Sequence, residues 1–310
     1  MNATRRRARL PALKAVAGAP LAVLLSLPAR LSARRVGIAL FFHGAGLGRG
    51  DPIRELLPTH DERLLDAELR HVRRWYRVVP ASRLLQAARE RRRGQRYPVA
   101  LTFDDDLASH VHLVLPLLRR HDLPATFFLT GASLHEPFPF WWQDLQALVD
   151  REGGDVFALA GQIQGLPAKR RREVAVELRD RAGRADPDHG LPAEAVRELA
   201  AAGMEIGFHT REHDPLPTLD DDELERAMLH GRDELEEEAG RPLQLIAYPH
   251  GDVDERTPRM ARDAGFRYGF TTRIRPVTAD SDPMLLGRVE ASFRSLGEFA
   301  VRLVRALALR

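Results

Sequence analysis

The sequence contains no cysteine among its 310 residues. This absence excludes disulfide bridges, and it also excludes thiolate ligands for a metal ion. A transition metal bound by this chain must therefore be held by histidine and carboxylate side chains. The same absence leaves the redox compartment of the protein undecided.

Two further absences concern acidic charge and apolar length. Residues 1–35 contain no acidic side chain but carry seven arginines and Lys14, so the net charge of +3 conceals an acidic remainder. Outside this arm no basic stripe is interleaved with aromatic residues, and the sequence therefore predicts no nucleic-acid partner. The apolar stretch within the arm, Ala15 to Pro28, has 14 residues and is too short to span a bilayer.

The arm at residues 1–35 has three interpretations that the sequence leaves open. Its basic start and short apolar middle are typical of a secretory signal, although no clean small-residue cleavage site follows. A basic segment lying on an anionic membrane is the second, and it gives the expectation of peripheral membrane contact through residues 1–35. A plain arginine-rich extension is the third. A place in the cell envelope and a place in the cytoplasm both stay open.

Residues 36–310 have the pattern of one large domain. Short apolar runs alternate with helical patterns, among them an acidic helix over Asp220–Ala239 and a helix whose capping box is Thr59 with Glu62. The predicted strands are Gly37–His43, Arg77–Val79, Val99–Phe103, Ala125–Leu129, Glu205–Phe208, Leu243–Tyr248, Arg267–Phe270 and Leu285–Val289. This strand–helix alternation predicts an α/β fold and favours a β/α barrel over an open sheet.

The segment between Leu129 and Glu205 breaks the alternation for about 75 residues. We interpret residues 135–195, in round numbers, as an insertion that lies over the rim of the barrel. It contains an aromatic run at 137–142 and a predicted basic helix, Lys169–Arg181. Trp141 and Trp142 of the aromatic run could stack on sugar rings or could anchor the core of the insertion.

Chemically reactive side chains stand at the carboxyl ends of predicted strands, where parallel barrels build their active sites. They are His43, Asp104-Asp105, His209 and the turn Tyr248–Gly251. Adjacent carboxylates at the end of an apolar strand are costly to bury unpaired, and a cation resolves that cost. The imidazoles at positions 209 and 213 can face one ion. The alternatives are aspartates at a helix N-terminus and two surface histidines on a loop.

Three motifs resemble one known family. Thr102-Phe103-Asp104-Asp105-Asp106 resembles the Thr-Phe-Asp-Asp-Gly signature of the polysaccharide deacetylases, the NodB-homology or family 4 carbohydrate esterases. His209-Thr210-Arg211-Glu212-His213 is similar to their His-(Ser/Thr)-x-x-His signature, and Ala247-Tyr248-Pro249-His250-Gly251 resembles their Arg-x-Pro-Tyr-Gly turn. The resemblance covers roughly Val36 to Glu290. It implies a distorted (β/α) barrel of about seven to eight parallel strands, in line with the strand pattern.

The resemblance also implies roles for individual residues. Asp105, His209 and His213 would bind a divalent metal, for which zinc is the first choice. Asp104 would be the general base, and the backbone N–H of His250 would help to hold the oxyanion. Tyr248 belongs to the same substrate-binding turn.

This chain departs from the family pattern at two positions where the side-chain charge changes. Ala247 stands where the family usually has an arginine that orients the base. Arg288 on the last strand could replace that arginine, or it could be a surface residue. Asp106 replaces a glycine, and its added negative charge could bind metal or repel substrate.

The general acid is a further departure. No histidine follows His250, so the late histidine that acts as the acid in many family members is missing. Phe42-His43-Gly44 resembles an early signature that supplies the acid in other members. His43 is therefore the candidate acid, and a structural histidine at a strand end is the alternative.

The implied activity is removal of N-acetyl groups from an amino-sugar polysaccharide or glycan, with the metal activating a water molecule. The expected partner is thus an N-acetylated polysaccharide or glycan. A non-catalytic carbohydrate-binding relative and an O-acetyl esterase on the same scaffold are the alternatives.

Overall fold

The computed structural model describes most of the predicted domain. The described residues are 31–46, 54–57, 59–136, 140–183, 190–291 and 294–309. Most of the predicted arm at 1–35 therefore lies outside them, as do residues 137–139 of the aromatic run. Within these ranges, no helix is both long enough and apolar enough to cross a membrane.

Seven parallel strands form a nearly closed barrel, which confirms the predicted fold. They are β1 (Val36–Phe42), β2 (Pro98–Asp104), β3 (Thr126–Leu129), β4 (Glu205–Phe208), β5 (Leu245–Ala247), β6 (Tyr268–Phe270) and β7 (Arg288–Glu290). Strand β1 pairs with both β2 and β7, and from β2 to β6 the strands are neighbours in sequence order. Phe270 at the end of β6 bridges Leu286, just before β7, so the ring nearly closes.

The strands form here because their apolar runs are buried on both faces. Successive side chains point to opposite faces, and in a barrel one of these faces is the interior. On β1, Ile38 and Phe42 pack in the large core shared with the surrounding helices, whereas Ala39 belongs to a separate, smaller cluster. Ala100 of β2 belongs to that smaller cluster as well. Asp104, four residues further along β2, has the same parity and faces the barrel interior.

Helices surround the barrel. The α-helices of the described residues are α1 (Glu62–Trp75), α2 (Ala81–Glu90), α3 (Leu115–His121), α4 (Trp141–Glu152), α5 (Val156–Gln164), α6 (Ala168–Ala182), α7 (Ala193–Ala201), α8 (Asp221–Leu229), α9 (Arg232–Ala239), α10 (Thr257–Asp263) and α11 (Leu296–Ala308). A π-helix (His110–Val114) leads into α3, and 3₁₀ turns cover Leu216–Thr218 and Pro249–Gly251. Two-residue strands occur at Ala45–Gly46, His60–Asp61, Arg77–Val78 and Val277–Thr278.

Two local predictions are wrong for physical reasons. The acidic segment predicted as one helix is two, α8 and α9, because Gly231 between them adopts a left-handed conformation with φ 75°. Such a residue ends one helix before the next begins. Helix α1 is capped by Asp61, whose carboxylate accepts a hydrogen bond from the backbone N–H of Leu64, and not by Thr59.

Helix α2 closes the amino-terminal end of the barrel. The backbone N–H of Ala81 donates to Thr126 Oγ1 at the start of β3, and that of Ser82 donates to Glu205 Oε2 at the start of β4. The carboxyl-terminal end of the barrel is therefore the end at which a site can open.

Three helices of the predicted insertion, α4 to α6, lie over that carboxyl-terminal end; we call residues 141–182 the cap. The cap has a hydrophobic core of its own, to which Leu145, Val156, Ile163 and Leu178 contribute. Because this core is separate from that of the barrel, the contacts between cap and barrel determine how the two are held together.

Candidate active site at the carboxyl end of the barrel

One cavity of about 270 Å³ lies between the barrel rim and the cap. It is lined by all ten residues to which the sequence assigned a site role. These are His43, Asp104, Asp105, Trp141, Trp142, His209, His213, Tyr248, His250 and Arg288. Residues distant in sequence thus meet in one place, because the carboxyl ends of parallel strands share one rim.

Asp105, His209 and His213 form a candidate metal centre, and all three are buried. Asp105 Oδ1 lies 3.6 Å from His209 Nε2 and 3.6 Å from His213 Nε2. Ligand atoms held about 2.1 Å from a tetrahedral zinc ion stand about 3.4 Å apart. The buried Oδ1 has no hydrogen-bond partner among the described residues. Donor types, spacing and unsatisfied oxygen therefore all fit a divalent cation.

The protonation states also suit metal binding. Burial lowers the pKa of His209 and lowers the pKa of His213 well below its usual value. Both imidazoles are therefore neutral, which is the form that binds a metal. Burial raises the pKa of Asp105 well above its usual value, and the neighbouring charges of Asp104 and Asp106 add to this effect. A bound cation would offset that cost by favouring the carboxylate.

The two histidines are held in different ways. His209 Nδ1 lies 2.8 Å from the carbonyl oxygen of Ala247 at the end of β5. This hydrogen bond leaves Nε2 as the nitrogen that faces Asp105. His213 instead packs against the cap, where its ring centroid lies 4.5 Å from that of Trp142 and 5.8 Å from that of Phe140.

The backbone of this site adopts unusual conformations. Asp105, Thr210, His213 and His250 all have positive φ angles, of 72°, 54°, 50° and 59°. Among the described residues other than glycine, only Asp122 at the end of α3 shares this feature. Left-handed conformations cost free energy for side chains with a Cβ, and in proteins they concentrate at functional sites. The rest of the fold therefore holds these four residues in place.

Asp104 is paired with Arg288 and not with the candidate metal ligands. Arg288 Nη1 donates to Asp104 Oδ1 at 2.6 Å, and both side chains are almost fully buried. Burial favours the neutral carboxyl, but Arg288 and His209 outweigh it and lower the pKa of Asp104. The interpretation of Arg288 as a surface residue is wrong, because its side chain is 0% exposed.

Asp106 anchors the next strand. Its carboxylate accepts hydrogen bonds from the backbone N–H and the hydroxyl of Thr130 and from the hydroxyl of Ser133. Both oxygens are therefore engaged, and the candidate metal centre does not include Asp106. The left-handed residue of this turn is Asp105, with φ 72°, and not the position at which the family has glycine.

His43 lies at the mouth of β1 and is partly exposed. Its ring meets the ring of Phe41 edge to face, at 5.7 Å between centroids. Burial lowers the pKa of His43 to about 4, against the opposing charge of Asp104. His43 is therefore neutral at neutral pH in the free protein.

The Tyr248–Gly251 turn forms another wall of the cavity. The hydroxyl of Tyr248 donates to the carbonyl oxygen of Met284, so its polar end is held by a hydrogen bond within the barrel domain. The ring of His250 lies 4.7 Å from that of His213, and its buried Nε2 has no hydrogen-bond partner within the described ranges. Gly251 fixes this turn: its φ is 74°, and a Cβ there would stand 2.4 Å from the backbone nitrogen of Thr272.

Several residues that line the cavity were not predicted from the sequence. They include Leu56, Leu57, Gln164, Thr272 and Glu290. The position of Glu290 could have been predicted, because it lies two positions after Arg288 on one strand and must share its face. The positions of Leu56 and Gln164 could not have been predicted, because they depend on how the cap packs. The backbone N–H of Leu56 donates to Gln146 of α4.

Comparisons with known proteins agree with this geometry. A family model described as polysaccharide deacetylase matches residues 91–269. The protein named "Putative polysaccharide deacetylase YxkH", from Bacillus subtilis (strain 168), is 21% identical over 194 residues, which are 63% of this chain. The match covers 51% of that protein, so the chain spans about half the length of this curated relative.

Solved structures share the fold. The Streptococcus pyogenes deacetylase PplD in complex with acetate has a TM-score of 0.62 and 17% identity, over 87% of this chain and 98% of that one. IcaB from Ammonifex degensii has a TM-score of 0.58 and 19% identity, over 86% of this chain and 97% of that one.

Proposed function

The chain belongs to the polysaccharide deacetylase family, and we propose that it is a metal-dependent hydrolase that removes N-acetyl groups from an amino-sugar polysaccharide or glycan. One observation carries this proposal. A buried carboxylate oxygen, Asp105 Oδ1, lacks a hydrogen-bond partner in the described chain and stands 3.6 Å from two imidazole nitrogens. A second carboxylate, that of Asp104, lies beside it and is held by Arg288.

We assign Asp105, His209 and His213 as the metal ligands and zinc as the metal. Two imidazoles and one carboxylate are a ligand set of catalytic zinc sites, in which three protein ligands leave a position open. The same set also suits other divalent ions such as iron. When bound, the ion polarises the acetyl carbonyl and lowers the pKa of a water molecule.

The proton transfers fall to Asp104 and His43 in this proposal. Asp104 takes a proton from the attacking water, whose oxygen forms a bond to the acetyl carbon. The C–N bond then breaks, and the nitrogen gains a proton as it leaves as an amine. His43 donates that proton. Because the pKa of His43 lies near 4, its ring is neutral before the reaction. The proton that Asp104 takes from the water therefore passes through His43 to the nitrogen, which returns Asp104 to the carboxylate and His43 to the neutral form.

Substrate contacts come from the other walls of the cavity. The backbone N–H of His250 is our candidate for the hydrogen bond to the oxyanion, and the unusual φ of 59° at this residue supports a functional role. Trp141, which is partly exposed, is our candidate for stacking on the sugar ring. Trp142 and Tyr248 are buried and shape the wall behind these groups.

Acetate release tests the proposal. Purified protein loaded with zinc is incubated with N-acetylglucosamine oligosaccharides, and with O-acetylated oligosaccharides in a parallel reaction. We expect acetate from the N-acetylated substrates, and a loss of about 10²- to 10⁴-fold in Asp104→Asn. Preferential release from the O-acetylated arm would assign the esterase reaction instead. Glycan binding without acetate, unchanged by Asp104→Asn, would identify a non-catalytic relative.

A further inference from the structure

The ligand His213 lacks the support that His209 receives. A histidine that binds a metal usually donates its second ring N–H to a partner, which fixes the ring. His209 does so with the carbonyl of Ala247. In His213 the Nδ1 atom is buried, and no other described residue accepts its hydrogen bond. The orientation of His213 must therefore come from its backbone and from packing.

Packing is supplied by the cap. Trp142, the second residue of α4, lies against the ring of His213 and stacks on Phe140 at 4.4 Å with an interplanar angle of 7°. The ring of this ligand thus lies between barrel residues, the rings of His209 and His250 at 4.8 and 4.7 Å, and an aromatic pair that belongs to the cap and its entry. The cap therefore supplies one side of its packing.

The backbone is tied to the cap by a buried ion pair at the next residue. Arg171 on α6 is 3% exposed, and its Nε and Nη2 donate to Asp214 Oδ1 at 3.1 and 2.9 Å. Its Nη1 donates to the carbonyl oxygens of Gln164 and Leu166 within the cap. Nη2 also reaches Thr218 Oγ1 at 3.3 Å, which is on the barrel side. All three guanidinium nitrogens are thus satisfied.

We propose that the Arg171–Asp214 pair couples docking of the cap to metal binding by His213, so that Arg171 is a positioning residue of the metal centre. This proposal rests on the metal site of the proposed function but not on the identity of the substrate. His213 has a φ of 50°, a conformation that a free loop would leave. Fixing the carboxylate of the following residue removes that freedom. Cap and metal then stabilise each other, because coupling between two sites is reciprocal.

Zinc affinity of purified chains, measured by competition with a chromophoric chelator, tests this inference without any substrate. We expect Arg171→Met to bind zinc about 10- to 100-fold more weakly than wild type, as for other residues that support metal ligands. Arg170→Met is the matched control. Arg170 is the preceding residue on the same helix, and among the described residues its exposed side chain pairs with Glu173 and Glu177 alone. We expect its zinc affinity to stay within twofold of wild type.

A double variant separates lost positioning from an unpaired charge and keeps the test valid if Arg171→Met folds poorly. Arg171→Met with Asp214→Leu removes both charges, an exchange that buried ion pairs often tolerate. We expect it to fold and still to bind zinc at least tenfold more weakly than wild type. Wild-type affinity in this variant would mean that the pair does not position the metal centre, and the proposal would fall.

The reciprocal effect needs no substitution. Zinc added to the wild-type chain should slow amide hydrogen exchange in α6, in which Arg171 lies, and not in α2, which closes the opposite end of the barrel. Equal exchange in α6 with and without zinc would contradict the coupling. A wild-type chain that binds no zinc at all would end both this inference and the proposed function, whereas zinc binding that ignores Arg171 would end only the inference.

Discussion

Arg288 reaches across the interior of the barrel to Asp104, with 2.6 Å between its Nη1 and the carboxylate Oδ1. The two residues lie on β7 and β2, and β1 runs between these strands. Ala39 of β1 pairs with Arg288 on one side and with Ala100 on the other. These small side chains leave the room that the guanidinium crosses. In the proposed mechanism, Arg288 on the last strand therefore takes the place of the arginine that the family usually has at the position of Ala247 on β5.

Loss of Arg288 should impair the proposed base. We expect Arg288→Met to lower kcat about 10- to 100-fold, as when other partners of a reacting group are removed. Arg288 lowers the pKa of Asp104, so its loss raises that pKa. Activity requires the carboxylate and falls as pH drops through the pKa, so the acidic limb of the kcat–pH profile should move to higher pH. Arg288→Lys should retain part of the effect, and an acidic limb that stays in place in both variants would contradict the role.

His43 should matter for turnover and not for the metal. We expect His43→Gln to lower kcat about 10²- to 10⁴-fold, the usual range for a group that transfers a proton. Zinc content should remain at the wild-type value, because His43 is not part of the metal cluster. Steady-state kinetics and metal analysis of the same preparation check both statements. Full activity in His43→Gln would show that another group is the general acid, and Asp104 would be the first candidate.

Asp106 should contribute to stability and not to chemistry. Asp106→Ala leaves the buried donors of Thr130 and Ser133 without their acceptor, which we expect to lower the free energy of unfolding by about 2–4 kcal/mol. Asp106→Asn keeps one acceptor oxygen and should lose less. Chemical denaturation measures the difference, and zinc affinity at a temperature where both variants are folded should match wild type. A weaker zinc site in folded Asp106→Asn would reinstate a direct role at the metal.

Substitution of the two tryptophans should affect different properties, stability for Trp142 and KM for Trp141. Trp142 is buried against Phe140 and His213, so Trp142→Ala should cost about 3–5 kcal/mol of stability. Trp141 is partly exposed in the cavity wall, and stacking of aromatic surface is worth about 0.5–1.5 kcal/mol. Trp141→Ala should therefore raise KM about 2- to 10-fold with a much smaller loss of stability. Unchanged KM in Trp141→Ala would leave this residue as a packing element of the cap.

The sequence predicted the barrel and its rim because the relevant information is local. β1 and β2 are continuous apolar runs, and His43, Asp104 and Asp105 stand directly at their ends. The pattern therefore located the strands and the reactive groups together. Motif spacing did the same for His209 and His213.

Other features depend on contacts that no local pattern contains. Whether Arg288 is a surface residue or a partner of Asp104 follows from the closing of β7 onto β1. The pairing of Arg171 with Asp214 follows from the docking of α6, which the basic pattern of that helix did not indicate. The break at Gly231 was local but was outweighed in the prediction by the continuous acidic pattern around it.

Metal content is the most direct test of the central claim, that Asp105, His209 and His213 share one divalent ion. Chains purified with zinc and desalted should contain one ion each in the wild type and in His112→Ala, a control in which an exposed histidine of the π-helix is removed. Elemental analysis should find less than a tenth of that amount in Asp105→Ala and in His209→Ala. One zinc ion per chain in all four proteins would contradict the account.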